Sequence, residues 1–127
     1  MAVTYRIDPS ERIVYLTTAG QSPFEEWRDV MMVVLADPAY RPGFDFLNDR
    51  TLQEDLPTAD YAKSALHFLR VHRWQMGRCR WAVVAGSDAL YGRGRMFSAL
   101  SQSHGIEGEM FRDLDDARRW LLDGRPR

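Results

Sequence analysis

Cysteine, lysine and histidine are scarce in this chain: Cys79 and Lys63 stand alone among 127 residues, with three histidines. A lone cysteine excludes an intramolecular disulfide. There is no surplus of positive charge either, since 17 basic residues face 18 acidic ones for a net charge of -1. Nucleic-acid binders draw their affinity from counterion release by clustered cations, so this balance argues against DNA or RNA as the main partner. No apolar run approaches membrane-spanning length, and the opening residues lack a stretch of signal-peptide length. A cytoplasmic location without a transmembrane segment is the resulting expectation.

Hydrophobic residues nevertheless make up 45% of the chain, enough for a real core. Residues 1–122 read as a single domain with a frayed tail at 123–127. Val3, Tyr5 and Ile7 alternate with Thr4 and Arg6 as in a strand. After the turn at Asp8–Glu11, a β-rich run from Arg12 to Thr18 completes a hairpin. Ser22 as N-cap, Pro23 at the first helical position and Glu25 and Glu26 in the first turn start a helix whose stripe is Phe24, Trp27, Met31 and Val34. Phe44 to Asp49 forms a third strand, and Leu52 to Pro57 a loop. Thr58 caps a second helix running to about Met76, with Ala62, Ala65, Leu66 and Leu69 as its stripe. Trp81 to Ala85 is apolar on both faces, as a strand covered by helices on either side would be. Leu90, Gly94, Phe97 and Leu100 mark a third helix stopped by Gly105. Ile106 to Phe111 gives the fifth strand, and Asp113 to Leu122 a last helix packed through Leu114, Ala117 and Leu121. The class is α/β, in the order β-β-α-β-α-β-α-β-α, with parallel crossovers after the hairpin.

Chemistry is harder to find. Gly92-Arg93-Gly94 lies inside a helix rather than between a strand and a helix, so it is no phosphate loop; Gly94 suits a close approach to the sheet. Every helix start already carries acids, among them Glu25, Asp60, Asp88 and Asp113, which repel phosphate. His67 and His72 are five apart, not the three or four of a helical ligand pair, and His104 sits at a helix end, so no metal or other cofactor is expected. Asp45 and Asp49 share a strand face but lie roughly 13 Å apart, too far for paired carboxylate catalysis. An enzyme therefore ranks third among the readings.

In an open α/β sheet, ligands and partners meet the carboxyl ends of parallel strands. That edge collects Asp49, Arg50 and Thr58 after the third strand, and Ser87, Asp88 and Tyr91 after the fourth. These residues make a candidate edge for a partner or ligand. They also suit a structural account, in which Thr58 and Ser87 are N-caps, Asp49 accepts backbone hydrogen bonds and Tyr91 packs on a helix. The basic cluster Arg70, His72, Arg73, Arg78 and Arg80 surrounds the end of the second helix, where cations suit the dipole. Trp74 and Met76 sit among them, and if exposed would form a protein interface.

The element order resembles the bacterial STAS/SEC14-like (SpoIIAA-like) domain family. So do Ala36–Asp45 leading into Asn48-Asp49-Arg50, Val83–Asp88 followed by Tyr91-Gly92 and Arg95-Met96, and Met110–Ala117. The resemblance implies a SpoIIAA-like (STAS) fold with a five-stranded mixed sheet and four helices. It also implies a non-enzymatic regulatory domain that binds a protein partner, in the manner of anti-sigma-factor antagonists, with homodimer formation left open. Those modules are phosphorylated on a Ser or Thr at the start of the helix after the third strand. Thr58 is the nearest such hydroxyl here, in Asp55-Leu56-Pro57-Thr58, which departs from the usual Asp-Ser-Ser/Thr-Gly. The SEC14 side implies instead a small apolar ligand or lipid.

Overall fold

The computed structural model describes residues 2–102 and 105–124. Ten elements follow one another: β1 (Val3–Asp8), β2 (Ile13–Gly20), α1 (Phe24–Ala36), β3 (Asp45–Gln53), α2 (Ala59–Val71), α3 (Arg73–Met76), β4 (Cys79–Ala85), α4 (Asp88–Ser101), β5 (Ile106–Phe111) and α5 (Leu114–Asp123). The strands form one sheet in the order β1-β2-β3-β4-β5. Only β1–β2 is antiparallel; the three pairs that follow are parallel.

This order decides where the helices go. Each parallel crossover steps one strand in the same direction, and right-handed crossovers of that kind place their helices on one face. Accordingly Trp27, Met31 and Val34 of α1, Ala65, Phe68 and Leu69 of α2, and Phe97 of α4 share one cluster with Val14, Leu16, Phe46 and Trp81. Aromatic rings fill its centre: Phe46 stacks on Trp81 at 4.3 Å and 10°, and Trp27 meets Phe68 edge-on at 5.2 Å. The reverse face is left to α5, whose Ala117 and Leu121 cover Ile13, Leu47, Ala82 and Val84. Val84 is thus sealed on the α5 side while Val83 packs toward the other helices, so β4 is an inner strand covered on both faces.

Several sequence expectations need correction. The second helix does not run unbroken to Met76: it ends at Val71, His72 has non-helical ψ of 14°, and the short α3 follows, giving four long helices and one short. β3 extends beyond Asp49 to Gln53, because Leu52 and Gln53 pair with Ala19 and Gly20 across a bulge. Pro23, not Ser22, is the N-cap of α1, while the Ser22 N–H is taken by the Asp55 carboxylate. α5 takes in Asp123, and its Leu114 is exposed whereas Trp120 packs beside Phe111. The Phe68 side chain is buried where Ala62 and Leu66 are only half-buried. His104 and the Leu100 side chain lie outside the described residues.

Candidate functional site

The parallel strands end at one edge, and all six residues singled out from the sequence lie along it. They face different ways. Adjacent strand residues point to opposite faces, which separates Asp49 from Arg50. Asp49 accepts from the N–H of Thr51 at 3.0 Å and from its hydroxyl at 2.7 Å. Arg50 turns inward and is buried; its guanidinium donates to Gln53 Oε1 at 2.8 Å and to the Tyr61 hydroxyl at 3.2 Å. Gln53 in turn donates to Asp55 at 3.0 Å, so the end of β3, the loop and α2 are tied together. Deeper still, Thr18 donates to Asn48 Oδ1 at 3.1 Å, and the Asn48 amide nitrogen has no hydrogen-bond acceptor among the described residues.

Thr58 and Ser87 cap their helices: Thr58 Oγ1 accepts from the N–H of Tyr61 at 3.0 Å and Ser87 Oγ from that of Leu90 at 3.1 Å. Asp88 is fully open to solvent and pairs with Arg112, which also donates to the Ala85 carbonyl at 3.1 Å. Tyr91 is half-buried against Ala85, Leu90 and Met110. No side chain of the six bonds another's among the described residues.

Three members of this edge escaped sequence reading. Tyr61 and Gln53 serve Arg50, which only the tertiary fold reveals. Arg93 of α4 donates to the Pro57 carbonyl at 2.7 Å, joining α4 to the β3–α2 loop. Large apolar side chains are exposed on the segments it joins: Leu52 at the end of β3 is 66% exposed, Leu56 41%, and Met96, one turn along α4 from Arg93, 71%.

At the opposite edge an open cleft of about 680 Å³ is lined by Arg12, Asp45, Arg78, Cys79, Arg80 and Glu107, among others. Arg12 holds a left-handed backbone, φ 59°, in the β1–β2 turn, a conformation that non-glycine side chains seldom adopt. Arg80 stacks on Trp120 at 3.6 Å and faces Glu107 at 3.4 Å. Asp45 accepts from the Arg80 N–H at 2.8 Å. Burial, reinforced by the nearby Asp45 charge, pushes the Cys79 thiol from 9.0 up to about 12. A thiol reagent at about pH 8 is expected to leave Cys79 unmodified in the native protein and to label it after urea unfolding, because the thiolate is the reactive form. The folded value lies above the unfolded one. The stability contributed by the neutral thiol is therefore intact below pH 9.0 and lost as the pH climbs toward 12.

Between the helices and the sheet, Trp27, Leu69, Trp81, Val83 and Phe97 border an apolar crevice of only about 30 Å³. Sites for small organic ligands span roughly 300–1,000 Å³. No described helix is long and apolar enough to cross a membrane.

No family model and no curated protein matches the chain. Among solved structures, it is similar to an uncharacterised protein of the DUF3478 family from Shewanella loihica PV-4, described as having a SpoIIAA-like fold. The two share 19% identity over 94% of each chain, with a TM-score of 0.63. At that identity the likeness speaks for architecture alone. The chain has a SpoIIAA-like fold, with a five-stranded mixed sheet flanked by helices on both faces.

Proposed function

We propose that this chain is a non-enzymatic interaction domain that meets a protein partner through the β3–α2 loop and the start of α4. One observation carries the reading: Leu52, Leu56 and Met96 stand exposed on the end of β3, the β3–α2 loop and α4, and the Arg93–Pro57 bond ties that loop to α4. The rim beside them is polar and already hydrogen-bonded, through Arg50, Gln53, Asp55 and the Thr58 cap. An apolar centre within a satisfied polar rim is the anatomy of a protein interface. The hydroxyls and carboxylates there hold backbone N–H groups or arginine, which suits recognition better than turnover.

Thr58 is exposed at the start of α2, immediately after Leu56 and Pro57. A phosphate on it would put about two negative charges at the margin of the apolar centre, beside Asp55 and Asp60, and would repel an acidic or apolar partner. Affinity purification from the native cell is expected to recover a stoichiometric protein with the wild-type chain. With the purified partner, Leu56→Asp should weaken binding at least about tenfold, since a charge buried at an interface centre costs well over 1.4 kcal/mol. Thr58→Glu should weaken it as well. Unchanged affinity in Leu52→Asp and Leu56→Asp variants that melt like the wild type would remove this surface from consideration; a normal Thr58→Glu complex would remove the switch alone.

A further inference from the structure

We infer that a second docking surface lies at the opposite end of the molecule, built by α3 and the cleft beside it, and that it takes an acidic protein segment carrying apolar side chains. Between Asp60 and Asp88 the chain has no carboxylate at all, yet it holds Lys63, Arg70, Arg73, Arg78 and Arg80. All 18 acids lie outside those 27 residues, with only 12 of the 17 cations. Lys63 sits near the start of α2 and Arg80 faces Glu107 at 3.4 Å, which leaves three arginines at the end of α2, in α3 and just after it. Arg70, Arg73 and Arg78 are exposed, and none forms an ion pair with a described carboxylate. Arg70 is turned onto the neighbouring His67 ring at 3.1 Å, and Arg73 lies 5.1 Å over Trp74.

Trp74 is 81% exposed and Val71, one turn earlier, 57%. Val71 ends α2, and the short α3 that follows is anchored by the buried Met76 while its Trp74 faces outward. The Gly43 N–H bonds the Met76 carbonyl at 2.8 Å, so α3 stands at the rim of the 680 Å³ cleft that Gly43 and Arg78 both line. Tryptophan and arginine together are the side chains that dominate interface energetics. Three guanidiniums without carboxylates call for carboxylates, which they bind through paired N–H donors. A lone tryptophan and one valine offer too little apolar area to hold a membrane surface, for which even a whole acyl chain gives marginal binding. A protein segment fits; a bilayer does not.

The test uses the full chain and a short synthetic peptide alternating glutamate with leucine, followed by tryptophan fluorescence and by anisotropy of the labelled peptide. Saturable binding that weakens with salt is expected. Trp74→Ala and the double variant Arg70→Glu/Arg73→Glu should each reduce affinity about tenfold or more, these being solvent-facing positions whose replacement leaves the melting curve in place. Leu56→Asp should bind the peptide as the wild type does, which separates this surface from the one at the other edge. Absence of peptide binding, or binding indifferent to both α3 variants, overturns the inference. Sedimentation with phosphatidylserine vesicles but no affinity for the peptide overturns it equally, in favour of a lipid surface.

Discussion

Replacing Phe46 by alanine is expected to lower the unfolding free energy by about 3–5 kcal/mol and the melting temperature by roughly 10–15 °C. Phe46 is wholly buried near the start of the central strand β3. Its ring stacks on Trp81 of the neighbouring strand and approaches Tyr40 at 6.1 Å. Alanine removes the transfer energy of the ring and leaves a void that strands on both sides hold open, since β2 and β4 are pinned to β3 by their ladders. Equilibrium urea denaturation gives the difference directly. Phe111→Ala on β5 serves as the comparison: this ring is only half-buried, against Trp120, and its loss should cost about 1–2 kcal/mol. Equal losses at the two sites would mean that the aromatic stack is not the centre of the fold.

Gly86→Ala comes next, with an expected loss of about 2–3 kcal/mol for a single added methyl group. A Cβ at Gly86 would sit 3.0 Å from both the carbonyl carbon and the Cα of Thr51, and closer still to its oxygen. The obstacle is backbone, and it belongs to the segment where β3 bulges against β2, so it has no rotamer by which to yield. The ends of β3 and β4 would be pushed apart, which disturbs Ser87 at the head of α4 and the Asp49–Thr51 bonds together. Partner affinity at this edge should therefore fall along with stability. Gly92→Ala makes the opposite prediction. Nothing lies within 4 Å of a Cβ there, and the residue is inside α4, so alanine should stabilise by about 0.5–1 kcal/mol. Thermal melts of the two variants moving in the same direction would contradict this account of both glycines.

The periodic segments were legible in the sequence because their periods arise from the same burial seen in the fold. Trp27, Met31 and Val34 are buried as their spacing predicts, and Thr58, Ser87 and Asp113 cap the helices they precede. Gly94 was read as a point of close approach, and Met110 of β5 lies where its Cβ would be, with Cγ at 3.3 Å. What escaped notice depends on distant partners. Leu52 and Gln53 look like loop because Gln53-Glu54-Asp55 is polar, yet β2 supplies the strand partners. Ser22 has the chemistry of a cap, but its Oγ has no hydrogen-bond partner among the described residues, while Asp55, 33 residues away, holds its N–H. The break at His72 carries no proline or glycine to announce it. Of the candidate edge, positions along the chain were readable and side-chain directions were not: Arg50 looked available and is instead drawn inward by Gln53 and Tyr61.

All three crossover helices share one face, and α5 alone closes the other. During synthesis, then, every described strand leaves the ribosome before α5, the one described helix whose buried residues cover Ile13, Leu47, Ala82 and Val84. A nascent chain lacking residues 114–123 displays a wet apolar sheet, the kind of surface that chaperones seize and aggregates grow from. Docking of α5 is the step that ends that exposure.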